Sequence, residues 1–158
     1  KHRTPQNIVI GGLAGAAPPM LGSVAVTGHV DATGLILLLI IFIWTPPHFW
    51  ALAIDRIDDY AKANVPMLPN IKGIPHTKKC ILIYSFLLSL LSLIPFYIGT
   101  CYAAYIPGII AINIWFLYHV INLYFDPLNQ SAKKVFYNSI IYLSCLFIVL
   151  LLSHIIPL

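Results

Sequence analysis

Five apolar runs decide what this chain can fold into. They cover roughly residues 8–26, 34–54, 80–99, 103–124 and 135–156. A helix needs about 20 apolar residues to cross a hydrocarbon core roughly 30 Å thick, and each run suits that length. None shows the alternation of a membrane β-barrel. Charge agrees with the pattern. Only 9% of residues are charged, against roughly 25% in a soluble domain, and the mean hydropathy is +0.88. A soluble core of this size cannot hide so much apolar surface. The fold class is therefore all-α: a polytopic transmembrane bundle, one domain over residues 1–158, with the lipid bilayer as its partner.

The basic residues orient it. Lys1 and Arg3 precede the first run, Arg56, Lys62, Lys72, Lys78 and Lys79 follow the second, and Lys133 and Lys134 precede the fifth. With five spans all of these fall on one side, and the opposite loops, 27–33 and 100–102, carry no Lys or Arg. The positive-inside rule makes that side cytoplasmic. The expected location is a bacterial inner (plasma) membrane, or the inner mitochondrial membrane in a eukaryote. The net charge of +4 is explained this way and implies no nucleic acid. Cys80, Cys101 and Cys145 lie far apart in or beside apolar runs, which suits packing rather than a disulfide framework or metal.

Two proline pairs should interrupt helices. Pro18-Pro19 should kink or break the first span, whose small residues (Gly11, Gly12, Ala14, Gly15, Ala16, Ala17) allow close helix approach. A broken helix is tolerated in lipid only where protein or a cavity satisfies its backbone, which puts this span inside the bundle. Pro46-Pro47 should break the second span. Asn7, Asn122 and Asn138 are candidate interhelical hydrogen-bond donors.

Polar chemistry is concentrated just after the second span. Asp55, Asp58 and Asp59 are three of the chain's five acids, and there is no Glu. If the second helix runs on through Tyr60, Asp55 and Asp59 share a face, with His48 on the same stripe. Asp58 and Lys62 then pair at i,i+4. A solvated helix end is the plain alternative. Acids have no topogenic role, however, and Mg²⁺ is held by one or two carboxylates with waters and substrate phosphates. Asp55, Asp58 and Asp59 are the candidate metal ligands, and Asp55, Arg56 and Asp59 the candidate catalytic groups. Arg56, Lys62, Lys72, Lys1 and Arg3 suit phosphate oxygens. These residues together read as a Mg²⁺–diphosphate site at the membrane surface, with the substrate's apolar tail among the helices. His48 lies deeper, and an ionisable group there is either functional or an interhelical histidine with its bonds satisfied.

The segments KHRTPQNIVIGGLAGAAPP and WTPPHFWALAIDRIDDYAKANVPMLPNIKG resemble the second half of the protohaem IX farnesyltransferase (haem O synthase) branch of the UbiA-type intramembrane prenyltransferases. The resemblance is sharpest over 3–12, 16–19 and 46–73, and is only hydropathic after about Cys80. It implies a bundle of about nine spans around a cavity, with two Asp-bearing polar regions facing each other on the cytoplasmic side. It implies transfer of a farnesyl group from farnesyl diphosphate to a vinyl of haem B, with hydration, giving haem O. It also implies contact with the machinery of haem A synthesis or cytochrome oxidase assembly. By the same resemblance Asp59, Tyr60 and Arg56 sit in the second polar region, Asn7 joins Lys1 and Arg3 near the diphosphate, and His48 contacts haem. Asp55 and Asp58 depart from what haem-type members commonly show. Phe49 and Trp50 would face the allylic cation. The first Asp-bearing region is absent, so an upstream part is expected, and the 158 residues alone are expected to be inactive. Prenylation of a quinone precursor, half of a transporter, and a structural subunit of a respiratory complex are the competing readings.

Overall fold

The structure, a computed structural model, describes residues 7–155, with side chains as far as Ser153. Lys1 and Arg3 lie outside it. The described residues form eight helices: α1 (Asn7–Thr27), α2 (Ala32–Asp55), α3 (Ile57–Lys62), α4 (Leu68–Lys72), α5 (Ile74–Leu91), α6 (Ile94–Tyr97), α7 (Tyr105–Phe125) and α8 (Ala132–Ile155). Five stretches are long and apolar enough to cross a membrane, with α5 and α6 together making the third. Helix α2 is the hub, packed by α1, α5 and α8, while α7 closes the bundle between α5 and α8.

Neither proline pair interrupts its helix. Pro18 and Pro19 lie inside α1, and Pro46 and Pro47 inside α2. Each proline removes one N–H from the ladder. In lipid, neighbouring helices and Thr hydroxyls make good such gaps. Here Thr45, both prolines and His48 are buried against other helices, and Thr45 Oγ1 back-bonds to Ile41 O at 2.7 Å, which keeps its hydroxyl satisfied but does not replace the donors that the Phe42 and Ile43 carbonyls lose. Of α1, Gly12 and Ala16 are the buried residues, and it packs on α2. That packing is close: a Cβ on Gly12 would stand 3.0 Å from Thr45 Cγ2.

The third span begins six residues earlier than its apolar run. Gly73 turns the chain at φ +83°, Pro75 opens α5, and Lys78 is directed inward to donate from Nζ to the Asp126 carbonyl. The break between α5 and α6 leaves carbonyls to satisfy. Leu93 N bonds Leu90 O and Phe96 N bonds Leu93 O, so Ser89 O and Ser92 O lose their helical donors. Asn113 Nδ2 supplies Ser89 O at 3.2 Å, and Tyr105 Oη supplies Ser92 O at 2.7 Å. The interhelical amide is therefore Asn113. Asn122 faces outward, and Asn138 is only half-buried.

Loop carboxylates fix two helix starts. Asp31 accepts from Ser23 Oγ at 2.6 Å and from Gly34 N, capping α2. Asp126 accepts from Ser131 N at 2.8 Å and Leu128 N at 2.9 Å ahead of α8. The Ser23 hydroxyl holds the Asp31 carboxyl below its ordinary value, and the Ser131 N–H does the same for Asp126. A lowered folded pKa gives stability that is complete above the unfolded value, about 3.9, and is lost as pH falls through the folded one. Hydrogen exchange at Gly34, Leu128 and Ser131 should therefore keep its protection down to about pH 4 and lose it below. Loss that begins near neutrality would contradict these caps.

Candidate active site at the polar end of the bundle

Three segments meet at one end: the start of α1, the connection 56–73, and the α7–α8 loop. Asn7 Nδ2 contacts Met67 Sδ at 3.8 Å, Asn70 Nδ2 donates to Ile57 O at 3.1 Å, and Lys78 reaches Asp126. Met67, Leu68 and Pro69 are buried, so the connection folds back onto the helices instead of trailing into water.

The acids are not arranged as one helical wall. Helix α2 stops at Asp55, Arg56 leaves helical geometry at φ −113°, ψ 32°, and α3 starts anew at Ile57. Beyond the lipid, water can satisfy a broken ladder, so nothing forces the helix to continue. His48, Asp55 and Asp59 therefore do not line one continuous face. Arg56 brings the two acids together instead, with Nε 3.6 Å from Asp55 Oδ2 and Nη1 3.3 Å from Asp59 Oδ2. Both ion pairs among the described residues belong to Arg56, and the expected Asp58–Lys62 pair does not form. Arg56 and Asp59 are 60% and 62% exposed at their side chains, and Asp55 is 27% exposed, so all three are open to a ligand. Asp58, Lys62 and Lys72 are exposed and Tyr60 half-buried at the same end.

Among the described residues no three His, Cys, Asp or Glu converge to hold a metal ion. The trio Asp55, Asp58 and Asp59 is thus not a closed metal site. Two water-facing carboxylates on one guanidinium do fit the protein's usual share of a Mg²⁺ site, the remaining positions being water and phosphate.

An apolar groove of about 380 Å³ lies between α1 and α2, walled by Asn7, Gly12, Ile41, Trp44, Thr45 and Phe49 among others. Asn7, one of its wall residues, is also the residue that meets Met67 at the polar end. Small residues on α1 leave the space, and two aromatic rings on α2 line it. Trp50 is turned away, 3% exposed and edge-on to Tyr84 of α5, with Nε1 unpartnered among the described residues. The structure therefore places Phe49, and not Trp50, at the groove. Trp44, which sequence reasoning passed over, stands one turn before His48 and joins Phe49 there.

His48 is 8% exposed and held on three sides. Its ring stacks on Trp44 (4.3 Å, 18°) and on Phe136 (4.6 Å, 25°), and Nδ1 lies 2.7 Å from Ser139 Oγ. Trp44 Nε1 also donates to Ser139 O at 2.8 Å. Ser139 had no signal in the sequence, because it joins His48 only through the packing of α8 on α2.

The model of the UbiA prenyltransferase family matches residues 1–151. The chain is 59% identical over 154 residues to a protoheme IX farnesyltransferase of Coxiella burnetii (strain RSA 331 / Henzerling II), covering 98% of this chain and 50% of that protein. It is 56% identical over 98% of its length to protoheme IX farnesyltransferase 2 of Pseudoalteromonas atlantica (strain T6c / ATCC BAA-1087), of which it covers 50%. It is 53% identical over its whole length to protoheme IX farnesyltransferase 1 of Pseudomonas aeruginosa (strain UCBPP-PA14), of which it covers 52%. The chain thus spans about half the length of the curated relatives it matches. No solved structure matches it. With an acid-bearing polar end, an apolar groove beside it and a family model matched along nearly all of its length, the chain belongs to the UbiA prenyltransferase family.

Proposed function

We propose that the full-length protein transfers a farnesyl group from farnesyl diphosphate to a vinyl group of haem B, giving haem O and diphosphate. The observation that carries this reading is the Asp55–Arg56–Asp59 cluster following α2, the helix that also walls the apolar α1–α2 groove. The name of the relatives supplies the acceptor and the transferred group, and an allylic diphosphate is the donor that the cationic polar end suits.

The chemistry runs from charge to shelter. Breaking the allylic C–O bond leaves the electron pair on diphosphate, and Arg56, Lys62 and Lys72 stand where they can offset that charge. Asp55 and Asp59, with Asp58 beside them, would hold Mg²⁺, which supplies further neutralisation of the leaving group. The farnesyl chain lies along the apolar groove, where water is scarce: Phe49, nearer the acids along α2, offers its ring to the allylic cation, and Trp44, about three turns below Asp55, packs on the prenyl tail. A haem vinyl carbon then forms the new C–C bond. The porphyrin-side cation takes the oxygen of a water, which gives up a proton. In this reading Asn7 touches the diphosphate end, and His48 the porphyrin. The polar end then faces the cytoplasm of a bacterial inner membrane, which the one-sided lysines and arginines support.

The test is acceptor choice. Full-length protein given labelled farnesyl diphosphate with haem B and a hydroxybenzoate together should place the label on haem. Label on the hydroxybenzoate would overturn the reading in favour of a quinone-precursor prenyltransferase.

A further inference from the structure

The surroundings of His48 fix which of its nitrogens carries hydrogen. Ser139 Oγ has one proton and two close partners: Phe136 O at 2.6 Å and His48 Nδ1 at 2.7 Å. A backbone carbonyl can only accept, so the hydroxyl proton goes to Phe136. Ser139 Oγ must then accept from His48, and Nδ1 carries the ring's hydrogen. The other nitrogen, Nε2, is left as a bare lone pair.

The same packing leaves Nε2 as the ring's available edge. Trp44 covers one face and Phe136 the other, and Ser139 takes the Nδ1 edge. Among the described residues the ring's hydrogen-bond contacts are Ser139 Oγ, at Nδ1, and the Phe136 backbone carbonyl, which stands 2.6 Å from that same hydroxyl, so both acceptors lie toward the Nδ1 edge. Two of the three rings around His48, Trp44 and Phe49, also wall the α1–α2 groove. Ser139 is itself held in place, since its carbonyl receives Trp44 Nε1.

We propose that Ser139 is a positioning residue that locks His48 in the Nδ1–H tautomer, so that Nε2 is presented as an electron-pair donor to the iron of a porphyrin substrate. A neutral imidazole nitrogen whose partner nitrogen is tied to a second group is the usual form of a metal-binding histidine. The identity of the acceptor rests on the proposed function. The tautomer does not.

The test uses full-length protein with ¹⁵N-labelled histidine in bilayers. In the wild type, NMR should show His48 protonated at Nδ1 and bare at Nε2. Ser139→Ala should release the tautomer and raise KM for haem B about fivefold, the scale of one lost hydrogen bond, with KM for farnesyl diphosphate unchanged. Ser139→Thr, which keeps the hydroxyl, should restore both, and this separates positioning from a general loss of packing. A wild-type ring protonated at Nε2 would overturn the proposal. So would a Ser139→Ala protein that keeps both the tautomer and the haem KM. A protein with the Nδ1–H ring that transfers no farnesyl group would sink the functional reading while supporting the tautomer.

Discussion

Asp59→Ala in the full-length protein is expected to lower farnesyl transfer by about 100- to 1000-fold, the scale seen when one preorganised charge-stabilising group is removed. Membrane insertion and helix content should not change. The Asp59 side chain is 62% exposed, and its contact with Arg56 is a surface ion pair worth at most about 1 kcal/mol. The loss should therefore be read in turnover, with thermal stability unmoved. The variant also frees Arg56 from one of its two carboxylates. If Arg56 and Asp59 only capped a helix end, the variant would turn over at nearly the wild-type rate, and Asp59 would leave the mechanism.

Asn113→Leu should have the largest effect on stability, at about 2 kcal/mol. Asn113 lies in mid-span on α7 and is buried. It donates to Ser89 O and to Ser92 Oγ at 3.0 Å, and it accepts from Tyr142 Oη at 2.8 Å. These bonds join α5, α7 and α8 at the point where α5 gives way to α6. Leucine would leave the Ser89 carbonyl and the Tyr142 hydroxyl in hydrocarbon with fewer partners, and that penalty exceeds the worth of an average interhelical bond, about 0.6 kcal/mol. Tyr142→Phe removes one partner of the pair and should cost less. Reversible unfolding in detergent mixtures reads both. Equal costs for the two variants would show that the amide is not the organiser of this junction.

The apolar runs located the bundle well because lipid imposes a length on every span. The first, second, fourth and fifth runs fall within three residues of the helices at both ends. The third was read short because His76, Lys78 and Lys79 look like a loop, whereas Lys78 turns inward to a carbonyl on the far side of the bundle. The proline pairs misled for a related reason. A gap in the backbone ladder is a local property, and the buried neighbours that make it tolerable come from other helices.

The site was legible in part. Three acids in a chain so poor in them pointed to the polar end, and the resemblance to a known family named the chemistry. What the sequence hid was the arrangement. Arg56, and not a shared helix face, joins Asp55 to Asp59. Trp50 proved to be core, and Trp44 took its place at the groove. Ser139, 91 positions from His48, sets the histidine's environment through a contact that no local spacing encodes.

Equilibrium binding of a non-hydrolysable farnesyl diphosphate analogue to the full-length protein, with and without Mg²⁺, decides whether the polar end grips a magnesium-bound diphosphate. Mg²⁺ should tighten wild-type binding by about tenfold or more, equivalent to about 1.4 kcal/mol, and Asp59→Ala should erase that gain. Binding of equal strength in both conditions, unaltered by Asp59→Ala, would contradict it.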